Sequence, residues 1–383
     1  MYFAQSLAGH TDILSHFFGL PLPHAPAALD DAIIIGLDAE WFTRGEIKHV
    51  TELGIAILDP TNHHAYTDDS ELVKFMEVFH ARIIPNAHLV NRRAGAHADK
   101  FLFGTTKFIT LEEAEQLLTQ AFCRPKANGY GYRPVILLGH AVDNDTQLLQ
   151  ENFGVDLREF GTIIKTIDTQ IMAEEVGVQS DSPLIGLKDL LKWFGIQEKY
   201  LHTAGNDIVY TMAVALLLSS YPDMDVGYAI YRGLEELKVN GTLVPTAASW
   251  GITVFCTKCN STSHMANNCS VGVTCFKCVQ NPRNAHCAHT HMTEKCIAMD
   301  IENRTPTPDS RADPCTLCMM SGDFKRWSKA QTHVMENCAW ARRLLRGPSQ
   351  RTSNGLERSA VLRAQSSTQW GGGSEEWVEF RRW

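Results

Sequence analysis

The stretch AIIIGLDAEW, residues 32–41, is a continuous apolar run that ends in two acids. A run of that length and composition reads as a strand buried on both faces of a sheet. Downstream, HVTELGIAILD at 49–59 has enough β-branched residues for a second strand, and FHARIIP at 79–85 reads as a third. The three follow one another without a helical pattern between them.

Helical periodicity begins at TLEEAEQLLTQAF, 110–122, where Thr110 is placed to cap the helix with Glu113 three residues on, a capping-box pattern. A strand PVILLGH, 134–140, leads into DNDTQLLQENFG, a helix closed by Gly154. TIIKTIDTQ (162–170) reads as a strand, SPLIGLKDLLKWFG (182–195) as a helix, and NDIVYTMAVALLLSS (206–220) as a long helix with an apolar face. Adjacent strands first, then strands alternating with helices, make an α/β protein with a mixed sheet flanked by helices. That order resembles a ribonuclease-H-like fold. The expected organisation is an N-terminal arm at 1–30, this domain at 31–220, a linker at 221–253, small zinc-stabilised modules at 254–340, and a basic disordered tail at 341–383.

The 383 residues carry a net charge of -8, with 44% hydrophobic and 20% charged residues, which excludes a wholly disordered, collagen-like or coiled-coil chain. The charge is divided: residues 1–249 sum to -14 and residues 250–383 to +6. An acidic body with a basic C-terminal region suggests two tasks, with the basic part suited to a polyanion. Cysteine is divided in the same way. Ten of the eleven lie between Cys256 and Cys338, and only Cys123 lies in the body. No run approaches the roughly 18 apolar residues of a membrane helix. With no basic leader at the N-terminus, the chain reads as a soluble intracellular protein of nucleus or cytoplasm, where clustered cysteines mean metal more often than disulfides.

Four acids have positions that suit metal chemistry. Asp38 and Glu40 stand two apart at the end of the first strand, so their side chains share one face of the sheet. Two carboxylates so placed repel each other unless cations lie between them. Asp145 opens the helix after Gly139-His140, and Asp207 opens the long helix, five residues after His202 in HTAGND. A D-x-E tripeptide alone is common, and Asp145 or Asp207 alone reads equally well as a helix cap. Order and spacing together carry more.

LDAEW (37–41), TELGIAI (51–57), GHAVDND (139–145), IDTQ (167–170) and HTAGNDIVYT (202–211) together resemble the DEDDh branch of 3′-to-5′ exonucleases, over about residues 31–220. A related branch has a catalytic tyrosine four residues before its last Asp; Thr203 stands there in this chain. The resemblance implies that Asp38, Glu40, Asp145 and Asp207 hold two Mg2+ or Mn2+ ions and that His202 is the general base. Asp143 is the rival of Asp145 for the third place, which the resemblance gives to Asp145. His140 reads as structural or substrate-positioning. Trp41, directly after the acids, suits stacking on a base as well as it suits the edge of the core.

Beyond residue 250, Cys256, Cys259, His264 and Cys269 form C-x2-C-x4-H-x4-C. This spacing resembles the zinc knuckle of retroviral-nucleocapsid type, in which a short loop wraps one Zn2+. Two longer sets keep its ends: Cys275, Cys278, His291, Cys296 and Cys315, Cys318, His333, Cys338. In the second set His286, Cys287 and His289 compete as ligands. One to three zinc ions are therefore expected, and filling all three sites lowers the +6 of this region to roughly +3, since each trithiolate site carries about -1. Phe255 and Phe276 suit base stacking, and Lys258, Lys277, Arg283 and Lys295 suit phosphate. The expected protein is a metal-dependent 3′-to-5′ exonuclease that takes single-stranded nucleic acid, RNA in preference to DNA, with zinc modules that capture substrate. The other reading is a non-catalytic RNA-binding adaptor on a nuclease-like scaffold.

Overall fold

The computed structural model describes residues 9–298, apart from 19, 45, 61–72, 92–94, 181, 183, 222–223, 241–249 and 282–283. The third cysteine set (Cys315, Cys318, His333, Cys338), Arg283 and the expected tail at 341–383 lie outside the described residues.

The first apolar run forms β1, Ile33–Arg44, and the second forms β2, Ile47–Leu58. They pair antiparallel from Ile34↔Leu58 to Glu40↔Glu52, where a bulge between Glu40 and Trp41 shifts the register. The third strand, β3 (Glu77–Ile83), is antiparallel to β2, and a three-residue strand, β4 (Lys107–Ile109), pairs parallel with β3. On the other side β5 (Val135–Gly139) runs parallel to β1, and β6 (Ile163–Asp168) parallel to β5. The resulting six-stranded order, β4-β3-β2-β1-β5-β6, is the mixed α/β sheet expected from the sequence. Nothing in the sequence marks β4, which at three residues is too short to show alternation.

Helices cover both faces. In chain order they are α1 (His10–Ser15), α2 (Ala27–Asp30), α3 (Leu111–Phe122), α4 (Asp143–Phe153), α5 (Thr169–Val176), α6 (Leu187–Trp193), α7 (Ala204–Ser220), α8 (Met224–Asn240) and the single turn α9 (Phe276–Val279). Thr110 and Glu113 form the capping box of α3, and Gly154 ends α4 at φ 70°, a left-handed conformation that glycine adopts without steric cost. Two expectations change. The strand TIIKTIDTQ stops at Asp168, whose carboxylate caps the first turn of α5, so its last two residues are helical. Residues 224–240, inside the stretch expected to be a linker, form α8, which buries Ala229, Ile230, Leu234 and Leu237 at helical spacing.

Strand alternation sorts the core into two layers. Ile33, Ile35, Leu37 and Ala39 of β1 face α3 and α4, while Ile34 faces α7 and the remaining helices. Gly36 and Asp38 share the face of Ile34, and a Cβ on Gly36 would lie 2.8 Å from Ile208 of α7. On β2, a Cβ on Gly54 would lie 2.1 Å from the carbonyl oxygen of Ala204. These two glycines let α7 settle directly onto β1 and β2. Because it lies across the sheet with helices behind it, α7 is apolar nearly all round and buried from Ala204 to Ser219. The N-terminal segment also packs: Ile13 and Leu14 enter the core, and the Glu175 carboxylate accepts from the backbone N–H groups of His10 and Thr11, both at 2.8 Å.

The cysteine-rich segment continues the body. Phe108 of β4 and Ile252 exchange two backbone hydrogen bonds, 2.8 and 3.0 Å, as an antiparallel bridge. Phe255 then packs on Phe108 with ring centroids 5.4 Å apart. Among the described residues no helix is long and apolar enough to cross a membrane.

Candidate functional site

The close seating of α7 brings its first turn over the end of β1. Asp207 sits in that turn, and Asp38 and Glu40 rise from β1 on the same face. Ligand atoms of Glu40, His202 and Asp207 lie within 4.8 Å of one another. Asp145 arrives from the first turn of α4, at the carboxyl end of β5. It is buried, and its Oδ1 accepts the backbone N–H of Ala39, between the two strand acids, at 3.0 Å. Its rival Asp143 is exposed to solvent.

Such a cluster is electrostatically strained. Burial, then the neighbouring Asp145, Asp207 and Glu40, hold the Asp38 carboxyl well above the usual carboxylate range. Burial pushes Asp145 up to about 8, against the stabilising Ala39 N–H. Asp207 is likewise raised by burial and by Glu40, although its Oδ2 accepts the His202 N–H at 2.9 Å. Asp38 Oδ2 and Asp207 Oδ1 are buried with no hydrogen-bond partner. Buried anionic oxygens without donors fit divalent cations, whose preferred ligands are carboxylates.

His202 has φ 61°, an uncommon conformation for a residue with a Cβ. The turn presents its half-exposed ring toward Glu40, with Nδ1 3.5 Å from Glu40 Oε1. That carboxylate raises the imidazole pKa above its ordinary value. The bulge after Glu40 is fixed by Thr51, whose hydroxyl donates to the Glu40 carbonyl at 3.0 Å. Trp41 packs partly against the core with the Lys48 ammonium 5.3 Å over its ring, and His140 holds Thr169 through Nδ1 at 2.7 Å.

Glu52, within TELGIAI, has a place in the structure that its sequence neighbours do not signal. It is 2% exposed, faces Glu40 across the β1–β2 ladder, and accepts from His80 Nε2 at 3.0 Å and from the Ala204 N–H at 3.3 Å. No local pattern marks this group, because its partners come from β3 and α7. Asn206, also buried, bonds Leu102, Lys100 and Tyr200 of the surrounding loops.

The first two cysteine sets each converge. Donor atoms of Cys256, Cys259, His264 and Cys269 lie within 4.8 Å of one another, as do those of Cys275, Cys278, His291 and Cys296. Cys259 Sγ is 3.4 Å from His264 Nε2, and Cys278 Sγ is 3.6 Å from Cys296 Sγ and 3.7 Å from His291 Nε2. A zinc tetrahedron with bonds near 2.1–2.3 Å has edges of about 3.5–3.7 Å, so both donor sets fit that ion. His289 turns its Nδ1 to the Val273 carbonyl instead, and His286 and Cys287 stay outside the cluster. One expected stacking residue changes role: Phe255 is 4% exposed beneath Lys295, whose Nζ lies 5.0 Å over its ring and donates to the Thr257 carbonyl at 3.1 Å. Phe276 is 67% exposed.

Residues 33–218 match a family model described as DNA polymerase III subunit epsilon-like, C-terminal domain, of DEDDh type. The chain is also 26% identical over 212 residues to the uncharacterized protein YDR514C of Saccharomyces cerevisiae, an alignment covering 49% of this chain and 41% of that protein. The chain thus spans about two fifths of the length of that relative. Over residues 33–218 the chain is thus similar to DEDDh exonuclease-like domains.

Proposed function

We propose that the protein is a metal-dependent 3′-to-5′ exonuclease of single-stranded nucleic acid, RNA in preference to DNA. The observation that carries this reading is the pair of buried, partnerless oxygens, Asp38 Oδ2 and Asp207 Oδ1, within one carboxylate cluster. Asp38, Glu40, Asp145 and Asp207 would hold two Mg2+ or Mn2+ ions, which when bound polarise a phosphoryl oxygen and acidify water. His202, half-exposed beside them, takes the proton from the attacking water, and Glu40 orients its ring and strengthens it as a base. The products are nucleoside monophosphates. In the cysteine region, Zn2+ on each of the two converged sets would hold Phe276 out in solvent, where it suits stacking on an unpaired base.

The test is a purified full-length protein with 3′- or 5′-labelled single-stranded RNA and DNA, in Mg2+, in Mn2+ and in EDTA. Stepwise shortening from the 3′ end, faster on RNA and lost when Asp38 and Glu40 are both replaced by Ala, is the expected result. Tight binding without shortening in either metal overturns it in favour of an RNA-binding adaptor.

A further inference from the structure

We propose that Glu52, backed by His80 and Thr106, is a positioning residue that sets the His202–Asp207 segment over the carboxylates of β1. The inference rests on the exonuclease reading and adds residues to it.

A continuous hydrogen-bonded chain runs through the buried side of the sheet. Thr106, just before β4, bonds His80 Nδ1 at 2.9 Å; His80 Nε2 bonds Glu52 Oε2 at 3.0 Å; and Glu52 Oε2 accepts the N–H of Ala204, the first residue of α7, at 3.3 Å. His80 is fully buried and locked from above, because a Cβ on Gly205 would lie 2.6 Å from its own Cβ. Its ring lies 4.9 Å from that of Phe101. The chain therefore has little freedom to rearrange.

What Glu52 holds is Ala204, two residues after His202 and at the start of the helix that carries Asp207. The segment has other ties, Thr203 to the His97 carbonyl at 2.9 Å and Asn206 to the Lys100 and Tyr200 carbonyls, but these anchor it to loops. Glu52 anchors it to β2 at the register position facing Glu40, so it fixes His202 and Asp207 relative to the acids of β1. A purely structural acceptor could be neutral. The charge of Glu52 instead adds to the repulsion on Asp38 and Asp207, a cost that a site designed only for stability would avoid. In return, one carboxylate oxygen, Oε2, accepts both the imidazole N–H and the peptide N–H, so removing the side chain loses the two bonds together, whereas a carboxamide oxygen in its place can accept both, more weakly.

The test compares full-length wild type, Glu52→Ala, Glu52→Gln and Thr106→Val on a labelled single strand. The readouts are kcat and KM separately, Mn2+ affinity and melting temperature. A displacement of about 1 Å in a catalytic group costs on the order of 100-fold. The expected result is a folded Glu52→Ala protein with kcat down about 10- to 100-fold and KM and Mn2+ affinity within about twofold, recovery of most of that kcat in Glu52→Gln, and a smaller fall of about threefold in Thr106→Val. Variants that melt differently from wild type but keep its kcat show a structural role and overturn the proposal. If Glu52→Ala does not fold, Thr106→Val decides by the same criterion. A wild type that releases no nucleotide in either metal is a different failure: it sinks the exonuclease reading itself and takes the positioning role with it.

Discussion

Asp145 is fastened to Ala39: its Oδ1 accepts the peptide N–H that lies between Asp38 and Glu40. One hydrogen bond thus ties the helix after β5 to the carboxylate-bearing end of β1. In Asp145→Asn the carboxamide oxygen still accepts from Ala39, so position is kept while charge is lost. The expected outcome is a folded protein with kcat reduced at least about 100-fold in a labelled-strand assay. Asp143→Asn, at an exposed position, leaves the rate unchanged.

The acid cluster also sets a pH dependence of stability. Asp38, Asp145 and Asp207 are all raised, Asp145 to about 8. A carboxyl with a higher pKa folded than unfolded stabilises in its protonated form. That stabilisation is complete below the ordinary carboxylate value and is lost as pH rises through the raised one. In magnesium-free buffer that leaves zinc in place, the melting temperature should fall between about pH 4 and pH 8. Saturating Mg2+ or Mn2+ should flatten the decline by favouring the ionised forms. Melting curves across this range check both trends, and Asp38→Asn should reduce the metal-free slope.

Zinc stoichiometry follows from the two converged donor sets. Cys259→Ser and Cys278→Ser should each lower the bound zinc of the native protein by one equivalent, measured by elemental analysis after gel filtration. Equal zinc in wild type and variant excludes that set as a zinc site.

Phe255 and Phe276 should behave oppositely. Phe255→Ala removes a buried ring packed on Phe108 and should cost about 3 kcal/mol of stability, seen in denaturant melts. Phe276→Ala should leave the melt unchanged and weaken single-strand binding by about 1–3 kcal/mol in a filter or fluorescence titration.

Gly54→Ala tests the seating of α7. The new Cβ would lie 2.1 Å from the Ala204 carbonyl oxygen and 2.8 Å from the Gly205 nitrogen, and neither is a side chain that can swing aside. The helix start must move, so both melting temperature and kcat should fall together.

Much of this arrangement is legible locally. Asp38 and Glu40 share a strand face by alternation, Thr110 and Glu113 announce a helix start, and the apolar run after Asn206 is long enough to be a helix whatever packs on it. The residues that sequence reasoning missed depend on distant partners. Glu52 acquires its role only when β3 supplies His80 and α7 supplies Ala204, and Phe255 loses its stacking role only because Phe108 lies 147 positions earlier in the chain. The α8 helix was obscured for another reason: Gly227 and Gly233, with its mixed charges, imitate a linker, while its buried face is supplied by Ile230, Leu234 and Leu237.

The bridge between Phe108 and Ile252 closes an outer strand position of the sheet. An unpaired outer strand offers its free N–H and carbonyl groups to any neighbouring chain, and stacked copies can grow from it. Here the outer groups of Phe108 are taken by the protein's own downstream segment, with Phe255 covering the ring. The segment that leads into the cysteine region thus covers the outer edge of β4. A chain cut just before Trp250 would bare both the strand edge and an apolar ring, and would be prone to stick to its own copies through β4.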